Sequence, residues 1–333
     1  MAHSLHCWGM ALGFVLCWSS GFVGGELAQQ TDMPSLWLFA WRFLIAGGLA
    51  IGLGLLLSPW PSVKTWLWEA LVGSFTVGGY LLGIMLALHY GVSAAVTALI
   101  TSLQPLLVAL MINRGQTKSE SMAQWQGMLI ATAGVALCIL ADAEQFNGPA
   151  PFWAYSLPIG AMLSLTLGSM MACRQSRNPP SHHNLPSPSQ RNNKAAILPA
   201  LGAQFLAAAL LFAITAHWMM PPDHHPNGSI GIDSASSLQW AALTWLILLS
   251  SFGGYGFYVA CLRQLGIART TELIYFSPGV TLVWSALMFD HPLTLAGISG
   301  IVITLIGVFW SQRQRRWPKH LLSGSDHHIA HKT

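Results

Sequence analysis

Charge is the scarcest property of this sequence. Only 8% of its 333 residues are charged, while 53% are hydrophobic. Ordinary soluble domains carry about 25% charged residues. A water-soluble globule of this length still needs a charged surface, whereas a lipid-facing surface needs almost none. The deficit excludes a soluble enzyme and a disordered chain. Cysteine is scarce too. Cys7, Cys17, Cys138, Cys173 and Cys261 are odd in number and lie in or beside apolar segments. They exclude a disulfide framework and read as reduced, lipid-buried small residues.

Several chemical signatures are missing. No Lys follows a Gly, so there is no Walker pattern. Neither a Gly-x-Ser-x-Gly elbow nor a His-Glu-x-x-His motif occurs. ATP-driven pumping by this chain alone and standard hydrolase chemistry are unsupported, so neither an enzyme nor a cofactor is expected. The 13 histidines include His182, His183, His224, His225, His327, His328 and His331, all in loops or the tail. Metal transport would need ligands facing one another inside a bundle, and no His falls in mid-span. No metal site is expected, apart from weak binding by the short His-rich tail.

Long apolar runs are what the sequence does contain. A helix needs about 20 apolar residues to cross the hydrocarbon layer. Ten such segments are predicted, at 6–28, 35–57, 66–88, 92–112, 123–141, 152–173, 196–219, 240–262, 270–289 and 293–311. The first lacks preceding basic residues and is too long for a signal-peptide core, so it reads as a span. The stretches 174–195 and 220–239 are rich in Pro, Ser, Asn and His and read as solvated loops.

Charge placement orients the spans. Lys64, Arg114, Lys118, Arg174, Arg177, Arg191, Lys194, Arg263 and Arg269 fall in alternate loops, and Arg313, Arg315, Arg316 and Lys319 follow the last span. The opposite loops hold Asp32, Asp142, Glu144, Asp223, Asp233 and Asp290 and no basic residue. The positive-inside rule puts both termini in the cytoplasm. The net charge of +4 is therefore a topology signal, and a nucleic-acid partner is not expected. Arg42, inside the second span, breaks the pattern.

The chain also repeats itself. Gly78-Gly79-Tyr80 recurs as Gly253-Gly254-Tyr255, and Gly91-Val92 as Gly266-Ile267. Pro105 then matches Pro278, and Gly127 and Gly134-Val135 match Gly300 and Gly307-Val308. The offset is 175 residues and then 173. More weakly, Arg42-Phe43-Leu44 aligns with Gln204-Phe205-Leu206. A unit of five spans is odd, so the second copy runs upside down through the membrane. Two units are expected, at 1–145 and 146–312, with a basic, His-rich tail at 313–333. Inverted repeats are an architecture of alternating-access carriers, with the site near the midplane.

Four stretches carry a family resemblance. They are Trp18-Ser19-Ser20-Gly21-Phe22-Val23, Pro34 with Arg42-Phe43, Ala98-Leu99-Ile100 leading to Pro105, and the Gly-x6-Gly-Val pattern closing each half. With them the chain resembles the drug/metabolite transporter superfamily, specifically the EamA-type ten-span permeases. The resemblance implies a secondary transporter of small metabolites in a bacterial cytoplasmic membrane, often an exporter. Where family members often carry Glu after the fourth and ninth spans, this chain has Asn113-Arg114 and Asp290-His291.

The candidate pathway residues follow from helix breaks and buried polarity. Pro105 and Pro278 each remove a helical hydrogen bond, freeing the carbonyls of Thr101 and Ile274. Such breaks at equivalent places in both halves point to a transport site. Thr101, Ser102 and Gln104 flank the first, and Tyr275 and Ser277 the second. Arg42 lies about 10 Å below the outer surface, at 1.5 Å per residue, where a charge is costly and a functional candidate. It can fork onto a substrate carboxylate, snorkel to headgroups, or pair with Glu26. Trp18, Ser20, Tyr80 and Tyr255 are further lining candidates. Glu272, Glu69 and Glu26 are the carboxylates placed to couple a proton.

The expectation is an all-α integral membrane carrier of ten helices in two inverted repeats, moving a small polar metabolite such as an amino acid. Membrane lipids and the substrate are its expected partners, with a homodimer left open. A lipid-modifying membrane enzyme and a non-transporting sensor subunit are the competing classes.

Overall fold

The computed structural model describes residues 2–57, 61–104, 107–108, 118–145, 150–177, 197–219, 236–289 and 295–313. Pro105, Asn113-Arg114, Asp290-His291, most of both polar loops and the tail beyond Arg313 lie outside the described residues, as does the side chain of Glu272.

Every assigned element among the described residues is helical. Helices α1 (Ala2–Gln29) and α2 (Ser35–Leu57) come first. Helix α3 (Val63–Gly73) runs through a π-helical stretch, Ser74–Gly79, into α4 (Tyr80–His89). Then come α5 (Ala94–Thr101), α6 (Lys118–Gln145), a 3-10 turn at Phe152–Tyr155, α7 (Ser156–Arg177) and α8 (Ile197–Met219). Helix α9 (Ser237–Trp245) passes through a second π-helical stretch, Leu246–Tyr255, into α10 (Gly256–Ile274). Helices α11 (Ser277–Phe289) and α12 (Leu295–Arg313) complete the described chain.

Local sequence explains several starts. The hydroxyl of Ser62 accepts from the Thr65 amide at 3.3 Å, and that of Ser93 from the Val96 amide at 3.3 Å. Ser236 and Gln239 form a reciprocal capping box. Each satisfies an amide that the first helical turn leaves orphaned.

Burial is inverted relative to a water-soluble globule. Arg42, Gln104, Ser251 and Thr281 have no exposure, whereas Leu56 is 81%, Leu210 63% and Phe309 62% exposed. Apolar side chains stand outward along many helices, as a hydrocarbon solvent permits and water does not. Among the described residues six helical stretches are long and apolar enough to cross a membrane: Trp8–Gln29, Ser35–Leu57, Val63–His89, Phe152–Cys173, Ile197–Met219 and Ser237–Ile267. Ser277–Phe289 and Leu295–Gly307 are shorter apolar helices.

The repeated glycines mark the same backbone features in each half. Gly91 (φ 93°) and Gly266 (φ 78°) are the positive-φ glycines among the described residues. Each follows a span containing a π-helical stretch, and each is followed by a short helix. Those short helices break in the same way. Leu103 N–H donates to Ile100 O at 3.2 Å, and Phe276 N–H donates to Leu273 O at 3.2 Å. Beyond the break, Leu107 N–H donates to Leu103 O at 3.3 Å and Val280 N–H to Phe276 O at 3.2 Å. Pro278 therefore does not kink a continuous helix. It occupies the first turn of α11, where a missing N–H costs nothing and a fixed φ is favourable.

The most extensive helix pairs are α6 with α12 and α2 with α8. Both join helices that occupy matched places in the two sequence copies. The α2–α8 register is antiparallel: a Cβ on Gly47 would lie 2.8 Å from Leu206, one on Gly202 2.6 Å from Ile51, and one on Gly54 3.1 Å from Pro199. Without a hydrophobic drive between helices in lipid, such close backbone approach at small residues is what makes association favourable.

Candidate functional site

The second π-helical stretch packs along α1, and the first, which packs on α7 and α8, leads into the part of α4 that meets α1. Each carries the Gly-Gly pair of the sequence repeat and presents the Tyr that follows it or closes it. The glycines are there for contact. A Cβ on Gly253 would lie 2.8 Å from Cys17 Sγ, and one on Gly78 2.6 Å from Leu211. A π-helical turn leaves carbonyls out of the regular ladder, and side chains from other helices meet them. Ser164 donates to Phe75 O at 2.8 Å, and Tyr255 donates to Thr76 O at 3.4 Å.

Four aromatic rings gather around Trp18 of α1. Its ring stacks on Tyr80 with centroids 5.4 Å apart and an interplanar angle of 25°. Tyr255 and Tyr258 tilt against it at 5.2 and 5.1 Å, and Phe14 at 5.3 Å. Trp18, Gly21, Phe22, Tyr80, Ser250 and Tyr255 line a cavity with about 10 Å³ open to water, room for about one water molecule. The indole Nε1 of Trp18 and the hydroxyl of Tyr80 are buried without a hydrogen-bond partner among the described residues. Unpaired polar groups in a low-dielectric interior are costly, and here they border the cavity. Pockets for metabolites hold roughly 300–1,000 Å³, so this one must expand to admit a substrate.

Arg42 stands beside the cavity with no exposure. Its Nε donates to Ser251 Oγ at 2.9 Å and its Nη2 to Ser250 Oγ at 2.8 Å. Its guanidinium carbon lies 4.9 Å above the Phe39 ring and 4.6 Å above the Phe43 ring. Its Nη1 has no hydrogen-bond partner among the described residues. Among the described residues its hydrogen bonds go to hydroxyls of the other sequence copy, and none goes to the Glu26 carboxylate. Glu26 itself is half-buried near the end of α1.

The helix-break residues form a neighbouring polar layer. Ser19 of α1 meets Ser277 Oγ at 3.1 Å. Thr101 donates to Thr97 O and Ala98 O, both at 3.0 Å, and Ser102 to Leu99 O at 2.6 Å. The Gln104 amide is buried with neither its oxygen nor its nitrogen bonded among the described residues. The Thr97, Thr281 and Ser285 hydroxyls are likewise buried and without a hydrogen-bond partner among them. Tyr275 is 5% exposed.

The structure thus brings Trp18, Tyr80 and Tyr255 to one cavity, with Arg42 one serine away. Ser20 does not line it: its hydroxyl donates to Cys17 O at 2.7 Å and its carbonyl accepts from Trp245 Nε1 at 3.1 Å. Ser250, Ser251 and Tyr258 were not expected from sequence. Two adjacent hydroxyls just ahead of Gly253-Gly254-Tyr255 in an apolar span were the available signal. Further along the same helices, Gln204 Nε2 donates to Glu69 Oε2 at 2.8 Å, and Arg263 is near enough to Glu69 to interact electrostatically.

The EamA-like transporter family model matches residues 7–140 and 189–312. The first stretch includes Trp18, Arg42 and Tyr80, and the second includes Ser250, Ser251 and Tyr255. A solved structure, described only as the crystal structure of a protein, superposes with a TM-score of 0.57. It is 20% identical over 91% of this chain and 95% of its own, a likeness of fold alone. No curated protein matches the sequence.

Proposed function

Since the chain belongs to the EamA-like transporter family, and is a multi-pass membrane transporter of the drug/metabolite type, we propose that it carries a small polar metabolite by alternating access through the Trp18–Tyr80–Tyr255 cavity. The metabolite is an amino acid or a related compound, and the direction is efflux across a bacterial cytoplasmic membrane. The ten spans form two inverted five-helix repeats, with both termini in the cytoplasm. Substrate would pass between the halves as each rocks about the central site.

One observation carries this reading. A cavity inside an all-helical membrane protein is bordered by the second π-helical stretch, through Ser250 and Tyr255, and by Tyr80, Leu81 and Ile84, which directly follow the first, and it holds polar groups with no hydrogen-bond partner among the described residues. Discontinuous or distorted helices at matched places in two repeats are where membrane carriers bind their cargo. The aromatic rings suit a partly apolar body, and Trp18 Nε1 and Tyr80 Oη suit its polar groups.

The test is counterflow. Purified protein in liposomes, preloaded with one metabolite at a time, should exchange labelled substrate saturably. Candidates come from a resistance screen of overexpressing cells. Chemical conversion without flux would make the protein a membrane enzyme, and neither flux nor conversion would make it a sensor or subunit.

A further inference from the structure

Arg42 and Gln204 occupy matched positions in the sequence repeat, and each is the seventh residue on from Ser35 or Ile197, where its helix begins. Arg42 crosses from the first copy to Ser250 and Ser251 of the second. Gln204 crosses from the second copy to Glu69 of the first. Both are nearly or fully buried, Arg42 at 0% and Gln204 at 5% exposure. The α2–α8 register sets them on opposite sides of the centre. Gly47 faces Leu206 and Ile51 faces Gly202, so Gln204 lies at the level of residue 49. That is seven residues from Arg42, or about 10 Å along the helix axis.

Each cross-link ends on a span with a π-helical stretch that serves the cavity. Ser250, which accepts from Arg42, is itself a cavity wall. Gln204 packs its Cα where a Cβ on Gly73 would go, directly ahead of the stretch that leads into Tyr80. Both links are made at once, and the cavity between them has room for about one water molecule.

Resting on the alternating-access reading, we propose that these are the two gate latches of the carrier. Arg42 with Ser250 and Ser251 closes the outer side, and Gln204 with Glu69 closes the cytoplasmic side. Opening to either face breaks one latch and keeps the other, and the structure with both closed is the occluded form. The two latches differ in chemistry. The outer one is a guanidinium on two neutral hydroxyls, and the inner one a neutral amide on a carboxylate. Both are charge-assisted hydrogen bonds, stronger than neutral ones yet breakable without leaving two like charges together.

The experiment uses one reporter cysteine, Leu81→Cys, on the cavity wall, with the five native cysteines replaced by alanine. A membrane-impermeant maleimide is applied from each face of oriented vesicles. With intact latches the reporter reacts slowly from both faces. Gln204→Ala and Glu69→Ala each raise cytoplasmic-face labelling about fivefold, the equilibrium weight of one net hydrogen bond, and lower labelling from outside. Ser250→Ala with Ser251→Ala, leaving Arg42 in place, does the reverse. Glu69→Gln keeps a neutral acceptor for Gln204 and shifts the ratio less than Glu69→Ala does, which separates latch loss from misfolding. Equal labelling gains on both faces, or an unchanged ratio in the alanine variants, overturns the latches. If the unmodified reporter protein is never labelled from more than one face, with or without substrate, alternating access itself falls, and the latches with it.

Discussion

Gly134 and Gly307 take reciprocal places at one helix crossing. A methyl on Gly134 would come 2.6 Å from the carbonyl oxygen of Gly300, and a methyl on Gly307 would come 2.6 Å from that of Gly127. Each closing glycine of one half thus rests on the first glycine of the other half's pattern. The backbones of α6 and α12 leave no room for a side chain at either point. Gly307→Ala should destabilise the fold by about 1–3 kcal/mol, the usual cost of overpacking. Gly48→Ala, with open space around it, should be near neutral. Thermal unfolding in detergent, followed by size-exclusion chromatography, distinguishes the two.

Tyr80 buries a hydroxyl that bonds to nothing among the described residues. Tyr80→Phe removes that unsatisfied group, so the folded state should be unchanged or more stable by up to about 1 kcal/mol. If the hydroxyl meets substrate, the same change should raise the half-saturation concentration for counterflow about tenfold. A drop in stability with unchanged transport would make Tyr80 a packing residue.

Arg42→Met tests a buried cation whose hydrogen bonds among the described residues are to serines. Replacing a buried charge by an apolar side chain of similar length is often neutral or stabilising by about 1–4 kcal/mol. The variant should insert and melt like the parent, while counterflow falls at least about tenfold. Arg42→Lys should also lose activity, because one ammonium cannot reproduce the two-pronged contact with Ser250 and Ser251. Full transport by both variants would remove Arg42 from the pathway.

Gly266 has φ 78° and ψ 168° inside α10, a region that side chains rarely enter. Nothing lies within 4 Å of a Cβ placed there, so any cost of substitution is backbone strain alone. Gly266→Ala should lose about 1–3 kcal/mol. Gly160→Ala, equally open but in helical backbone, should not. Denaturation midpoints of the two variants provide the comparison.

Orientation has its own test. Ser229→Cys should react with an impermeant thiol reagent applied to intact cells, and Ser187→Cys should not. The opposite pattern would invert the membrane topology derived from the Lys and Arg distribution.

Much of this was legible before any coordinates. The pairs Gly91–Gly266 and Gly78–Gly253 announced features that recur in the backbone, because glycine tolerates conformations and approaches that other residues resist. Trp18, Tyr80 and Tyr255 stand out in the sequence as aromatics within apolar spans, and they share a cavity. The π-helical stretches were not legible. When nearly every position is apolar, hydrophobic periodicity cannot distinguish 3.6 residues per turn from a wider turn. Ser20 is an equally plausible lining group from sequence, yet its hydroxyl is held by its own helix, an option always open to Ser. Ser250 and Ser251 were missed because their partner, Arg42, lies more than 200 residues away.

By itself the sequence determined that this protein lives in a membrane, and that its halves repeat. Both follow from composition and order: lipid strips charge from the surface, and matched glycines persist where backbones must touch. Which polar groups meet was decided only by tertiary structure. The register of α2 on α8 sends Arg42 and Gln204 to opposite sides of the centre, and the packing of α1 against the second π-helical stretch and against α4 closes the cavity around Trp18. Those choices depend on how helices far apart in the chain slide against one another, and no local pattern of residues records that.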